Sequence, residues 1–213
     1  KSASYLQWSY PDTTFTSTTS TYVSRDGVMT IKYDGITDEK GAGIQTETRP
    51  GLGLGLDFTK YKAIKATLTN KGTSDVHCTL IVKNGSGWTW AENGGTAVIG
   101  GKEGEMVVPA GKSVDVYYYL NHPTWKTKAS DWEYTDSLTD LDDVRAIAFK
   151  LYTSGESASG TFEISKFEVL KSEPTATVAT ANVINAKAEY LPGYTASNEQ
   201  GGTWYFDNIG LYK

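Results

Sequence analysis

Cysteine is almost missing from this chain of 213 residues: Cys78 is the only one, so no internal disulfide can form. It sits in the apolar run Cys78-Thr79-Leu80-Ile81-Val82, which marks a buried, inert thiol and not a nucleophile. Histidine is scarce too. His77 and His122 lie far apart, with no Cys, Ser or metal-ligand spacing around them. A Tyr/His/Arg lyase site stays open, because its members need not be neighbours in sequence. No apolar run approaches the ~18 residues of a membrane span. Nor is there a basic excess: 20 Lys and Arg stand against 25 Asp and Glu, a net charge of −5. Nucleic acid and anionic membranes are therefore poor partners, since neither would gain counterion release here, and a polyanionic polysaccharide is disfavoured. Gly51-Leu52-Gly53-Leu54-Gly55-Leu56 is rich in glycine, yet no Lys-Ser/Thr follows and no βαβ unit surrounds it. A phosphate loop is excluded on that ground. The chain starts abruptly at Lys1 with no visible signal peptide and reads as a processed or excised fragment.

What the chain does have is aromatic and β-rich, with 14 Tyr and 6 Trp. Alternating runs at 28–33, 41–46, 76–83, 113–120, 144–152 and 160–170 read as strands and 57–68 as a turn leading into one, with turn signals such as Asp26-Gly27 and Pro109-Ala110-Gly111-Lys112 between them. Residues 1–24 read as irregular chain plus an edge strand, and 121–139 as a long polar, aromatic loop. About ten short strands and no confident helix predict an all-β fold, a two-sheet antiparallel β-sandwich of jelly-roll type. One strand pattern occurs twice, at 160–170 and 202–212, so either copy could close the sandwich. Residues 1–213 read as a single domain, with 171–213 folding back onto the same sandwich, because some forty residues would struggle to hold a core alone.

The stretch around which these strands gather is Asn84-Gly85-Ser86-Gly87-Trp88-Thr89-Trp90-Ala91-Glu92. On a strand Trp88 and Trp90 share a face, about 7 Å apart at ~3.4 Å per residue, and form a flat apolar shelf of sugar-ring size. Both indoles could instead be core. The polar turn before them, and Glu92 and Asn93 after them, point to a rim. Planar rings suit the C–H faces of a sugar, and short polar side chains such as Glu92 and Asn93 suit its hydroxyls. Val114 and Val116 share the phase of Tyr118, which places Tyr118 inward and Tyr117 and Tyr119 outward on the same ligand-facing sheet. Trp125 and Trp132, on the long loop, are expected at the rim, with loop capping as the alternative.

Several of these pieces, in this order, resemble the β-sandwich carbohydrate-binding modules of bacterial polysaccharide-degrading enzymes. They are Leu56-Asp57-Phe58-Thr59-Lys60-Tyr61, Lys83-Asn84-Gly85-Ser86-Gly87-Trp88-Thr89-Trp90, Val107-Val108-Pro109-Ala110-Gly111-Lys112, Leu138-Thr139-Asp140-Leu141-Asp142-Asp143-Val144 and Tyr205-Phe206-Asp207-Asn208-Ile209. The resemblance implies a non-catalytic module that binds a polysaccharide chain in a groove, with a covalently linked catalytic domain in the full-length protein and an extracellular or cell-surface location. It further implies a structural calcium, with Asp207 as the one ligand carried over. A strand-end carboxylate accepting backbone N–H bonds is the bland role for that residue.

Two rival classes remain. Asp131-Trp132-Glu133-Tyr134-Thr135-Asp136 has carboxylates at spacings like those of jelly-roll glucanases, but with the identities reversed, and its polarity says loop. An adhesin or structural sandwich would use the aromatics as core. The expectation is a neutral β-linked glucan or mannan as ligand, and no catalysis.

Overall fold

The structure is a computed structural model that describes residues 19–23 (as backbone), 27–49 and 51–175. Among them are twelve strands and no helix: β1 Thr19–Val23, β2 Met29–Ile36, β3 Ala42–Glu47, β4 Ala63–Asn70, β5 Val76–Asn84, β6 Thr89–Asn93, β7 Val107–Val108, β8 Ser113–Tyr119, β9 Trp125–Thr127, β10 Tyr134–Asp136, β11 Val144–Tyr152 and β12 Ala158–Leu170. They form two antiparallel sheets. One has the order β1-β2-β12-β4-β8; the other runs β10-β9-β6-β5-β11-β3, with β7 pairing β5. This is the expected two-sheet β-sandwich of jelly-roll type.

Period-two alternation sets which side of each strand is covered. From β5, Val76, Cys78, Leu80 and Val82 enter the core, and from β11, Ile147, Phe149 and Leu151 do so. The facing sheet contributes Ile64, Ala66 and Leu68 of β4 and Val116 and Tyr118 of β8. Each Val, Leu, Ile or Phe among them contributes roughly 1.5–3 kcal/mol through removal from water. In β12 the phase changes midway: Phe162 and Ile164 point inward, and so do Phe167 and Val169. The register slips by one residue between Ser165 and Glu168, and Lys166 takes a left-handed φ of 48°. The extra residue is a β-bulge, and it returns the apolar set to the core after the alternation breaks.

Two local expectations change. The loop expected over 121–139 contains a hairpin, β9 against β10. The turn expected to lead into a strand over 57–68 is present: Asp57 Oδ1 accepts from Thr59 N at 2.8 Å, Phe58 O accepts from Tyr61 N at 2.9 Å, and the strand begins at Ala63. In the Gly-Leu run Leu52 and Leu54 are exposed and Leu56 bridges to Val144. Trp88 belongs to a turn and not to a strand. Asn84 pairs with Thr89, so residues 85–88 close the hairpin, and Trp88 has a φ of 53° with its N–H donating to Gly85 O at 3.0 Å. The second strand pattern at 202–212 and the fold-back of 176–213 lie outside the described residues.

Candidate functional site

The odd-numbered residues of β5 point away from the core. Register carries that face across the sheet. Lys83 lies opposite Trp90 of β6 and Ala146 of β11, and Ala146 opposite Glu47 of β3. Ile81 lies between Glu92 and Ala148, with Lys126 and Tyr134 following beyond Glu92. Thr79 faces Lys150, which faces Gly43, and His77 faces Tyr152. Ala146 and Ala148 of β11 lie opposite Glu47 and Gln45 of β3, and with Gly43, Thr79 and Ile81 the two alanines are buried at the base of this face. Trp90, Lys126 and Tyr134 stand along one side of it, and His77 and Tyr152 close one end. At about 4.8 Å between strands, this outer face is roughly 24 Å wide.

Three aromatic rings of the face each carry a cation. Lys83 Nζ lies 4.6 Å from the Trp90 centroid, Lys126 Nζ 5.3 Å from Tyr134 and Lys150 Nζ 5.2 Å from Tyr152. In the adjoining turn, Arg145 Cζ is 5.7 Å from the Trp88 ring. Each contact contributes about 0.5–1 kcal/mol and limits where the ring can swing. Tyr152 is held on its other side by His77, stacked at 4.7 Å and 17°.

Carboxylates complete the polar lattice. Trp90 Nε1 donates to Glu92 Oε1 at 2.7 Å, and Lys150 Nζ approaches the same oxygen at 3.8 Å. Tyr152 donates its hydroxyl to Glu105 Oε1. Burial pushes both the Tyr134 and Tyr152 phenols well above the ordinary tyrosine range, and Glu105 adds to the shift in each. Both therefore stay protonated donors at neutral pH. Flat rings, donors and acceptors side by side can hold a polyhydroxylated ring by its C–H face and its hydroxyls.

The residues expected to bind are dispersed. Trp90 and Glu92 stand on the outer face. Trp88 is in the turn beside it, 38% exposed, so it does not extend the strand's alternation to form a two-indole shelf. Asn93 points inward: its Nδ2 donates to Thr124 O at 3.0 Å and its Oδ1 accepts from Gly95 N at 2.6 Å, a structural role. Tyr118 is inward as expected, but Tyr117 and Tyr119 lie on β8 of the five-stranded sheet, not on the sheet of Trp90. Tyr117 is half-buried beside Lys65; Tyr119 is buried and stacks on His122 at 4.4 Å. Trp125, expected at a rim, is fully buried in the core, with Nε1 donating to Tyr119 O at 3.0 Å. Trp132 sits exposed in the turn between β9 and β10, φ 63°.

The rival carboxylates do not form a pair. Asp131 and Glu133 are exposed in that same turn, and Asp136 turns inward to accept from the Thr127 hydroxyl. Asp207 lies outside the described residues, and no group of three or more His, Cys, Asp or Glu side chains suited to a metal occurs among the described ones. Sequence reasoning missed Tyr134, Tyr152, His77, Glu105 and the lysines Lys83, Lys126 and Lys150. The one available signal was β11, where Ala146, Ala148, Lys150 and Tyr152 alternate with Ile147, Phe149 and Leu151.

No protein-family model matches the chain, and no curated protein does. Solved structures do. The family 11 carbohydrate-binding module of the cellulosomal cellulase Lic26A-Cel5E of Clostridium thermocellum is 14% identical, with a TM-score of 0.46, over 75% of this chain and 84% of that one. A module named CBM28, described as specific for non-crystalline cellulose, is 6% identical with a TM-score of 0.49, over 76% and 87%. PfGH50B is 15% identical with a TM-score of 0.52 over 91% of this chain, which spans only 27% of that protein. At these identities the likeness, which exceeds a TM-score of 0.5 only for PfGH50B among the three, is one of fold alone and singles out no family.

Proposed function

We propose that the outer face of the seven-stranded sheet binds one chain of a neutral β-linked glucan or mannan without cleaving it, and so keeps an appended hydrolase near its substrate. The observation that carries this reading is the half-buried rings of Trp90, Tyr134 and Tyr152 on one sheet face, with Glu92, Glu105 and Lys150 beside them. Trp90 and Tyr134 stack against sugar rings, and the polar groups select among hydroxyl orientations. Two stacked rings at roughly 1–3 kcal/mol each, taking base stacking as a guide, give affinities of about micromolar once ordering costs are subtracted. A module of this kind works outside the cell or at its surface, where polysaccharide is met.

Affinity electrophoresis against a panel of soluble neutral polysaccharides tests binding, with reducing-sugar release measured on every polysaccharide that retards the protein. Retardation without release is the expected result. Release of reducing ends by the purified chain would refute the non-catalytic part, and no retardation by any polysaccharide would refute the whole. The calcium expected through Asp207 is tested separately, by the melting temperature with and without a chelator.

A further inference from the structure

One loop reaches two places at once. Residues 94–106 join β6 to β7, and the chain bends at Gly104. Before the bend, Glu103 turns inward, its side chain 1% exposed. Its Oε1 accepts from Tyr119 N at 2.6 Å and its Oε2 accepts from the Thr124 hydroxyl, at the two ends of the connection from β8 to β9. His122 Nδ1 lies 3.6 Å from Oε2, and its ring stacks on Tyr119. After the bend, Glu105 comes out on the outer face, where its Oε1 accepts from the Tyr152 hydroxyl. Gly104 N donates to Gly95 O at 3.3 Å, and just beyond Glu105 the Met106 carbonyl accepts from Cys78 N at 3.3 Å. A carboxylate is costly to bury without partners. The charge-assisted bonds that offset this cost at Glu103 also fix the backbone two residues before Glu105.

Glu105 differs from the other carboxylate beside these rings. Glu92 is buried, and its Oε1 is taken by Trp90 Nε1 with Lys150 close by. Glu105 is exposed, forms no ion pair among the described residues and accepts one hydrogen bond from them, which leaves Oε2 open to solvent. Its charge acts on the Tyr134 phenol as well as on that of Tyr152, so it lies within reach of both rings. A sugar that lays its C–H face on either ring turns its equatorial hydroxyls sideways, towards this carboxylate. An acceptor fixed in that place takes a hydroxyl aimed at it and loses the bond when the hydroxyl is missing or turned away. We propose that Glu105 is the residue through which the outer face reads sugar hydroxyls, and that Glu103 is the positioning residue that holds it there. The inference rests on the polysaccharide-binding reading given above and names side chains that carry its polar part.

The test is a double-mutant cycle on the full chain, by isothermal titration with whichever of hydroxyethyl cellulose, mixed-linkage β-glucan, xyloglucan and glucomannan most retards the parent. Glu105→Ala should weaken affinity at least about tenfold. Glu103→Ala should weaken it by a similar factor, and the double variant should be no more than about twofold weaker than either single one, because both remove the same contact. A Glu103 that serves stability alone would make the two losses multiply. A second readout needs no ligand: in protein carrying isotope-labelled tyrosine, the NMR signal of the Tyr152 ring should move in Glu103→Ala in the direction it moves in Glu105→Ala. If Glu103→Ala does not fold, Thr124→Val removes one of the donors to Glu103 and should weaken affinity at least about threefold, with the same overlap with Glu105→Ala. Losses that multiply, or a Tyr152 signal unmoved when Glu103 is perturbed, would overturn the positioning role. Parental affinity in folded Glu105→Ala would overturn this inference and leave the proposed function standing, whereas a parent that binds none of the four polysaccharides would sink both.

Discussion

Replacing Trp90 by alanine separates a ligand-facing ring from a merely structural one. The indole contributes to stability through its Nε1 hydrogen bond to Glu92 and its contact with Lys83. Losing both costs about 1–2.5 kcal/mol, and for a domain of this size the melting temperature falls by roughly 3–8 °C. Binding changes on a different scale. A stacked sugar is worth roughly 1–3 kcal/mol, less about 0.5–1 kcal/mol if Lys83 must leave the ring face to admit it. The middle of these ranges leaves a net loss of about 1.25 kcal/mol, which weakens affinity roughly eightfold. Isothermal titration with the polysaccharide that most retards the parent measures it, on protein shown by circular dichroism to be folded. Tyr117→Ala is the control: it removes a half-buried ring from the other sheet, and affinity should stay within about twofold. A folded Trp90→Ala protein with parental affinity would refute the placement of the ligand.

Three further outcomes follow from the packing. Burial holds the Glu103 carboxyl above its ordinary range, against the opposing pull of Thr124, the Tyr119 N–H and His122. Because the folded state prefers the neutral form, this contribution to stability is full below the unfolded pKa of about 4.3 and is lost as pH rises through the higher folded value. Glu103→Gln should therefore gain on the parent from pH ~4 to pH ~7 in urea-melt midpoints, and a constant offset would contradict it. Gly94→Ala places a Cβ 1.5 Å from the Gly104 carbonyl oxygen. It should cost at least the upper part of the roughly 1–3 kcal/mol that overpacking carries, read as a lower urea midpoint at unchanged slope. Cys78 is fully buried and its thiol is pushed up by that burial. A thiol reagent should label it only at the rate of global unfolding, and rapid labelling of native protein would show the core to be open there.

Much of the sandwich is legible in residue order, because alternation is a local signal. Val114, Val116 and Tyr118 share one phase and the structure buries them together; the strand over 144–152 has the bounds expected for it. Where a local rule has an exception, the reading slips. Trp88 follows two flexible glycines and takes a left-handed conformation that alternation does not foresee, and Trp125 is an apolar knob within a segment whose average polarity says loop. The site is less legible for a different reason. Which face of β11 is ligand-facing depends on β5 and β3 lying on either side of it, and those pairings join residues far apart in the chain. Tyr117 and Trp90 look equivalent in sequence, yet they belong to different sheets.

The position of β12 has a consequence for how the protein is made. This strand lies between β2 and β4 in space but is the last of the twelve in the chain. During synthesis β2 and β4 emerge long before the strand that joins them, each presenting an unsatisfied backbone edge. Half of the sandwich must therefore wait for residues 158–170 to leave the ribosome, and a nascent chain stalled before that point exposes two adhesive edges to its neighbours.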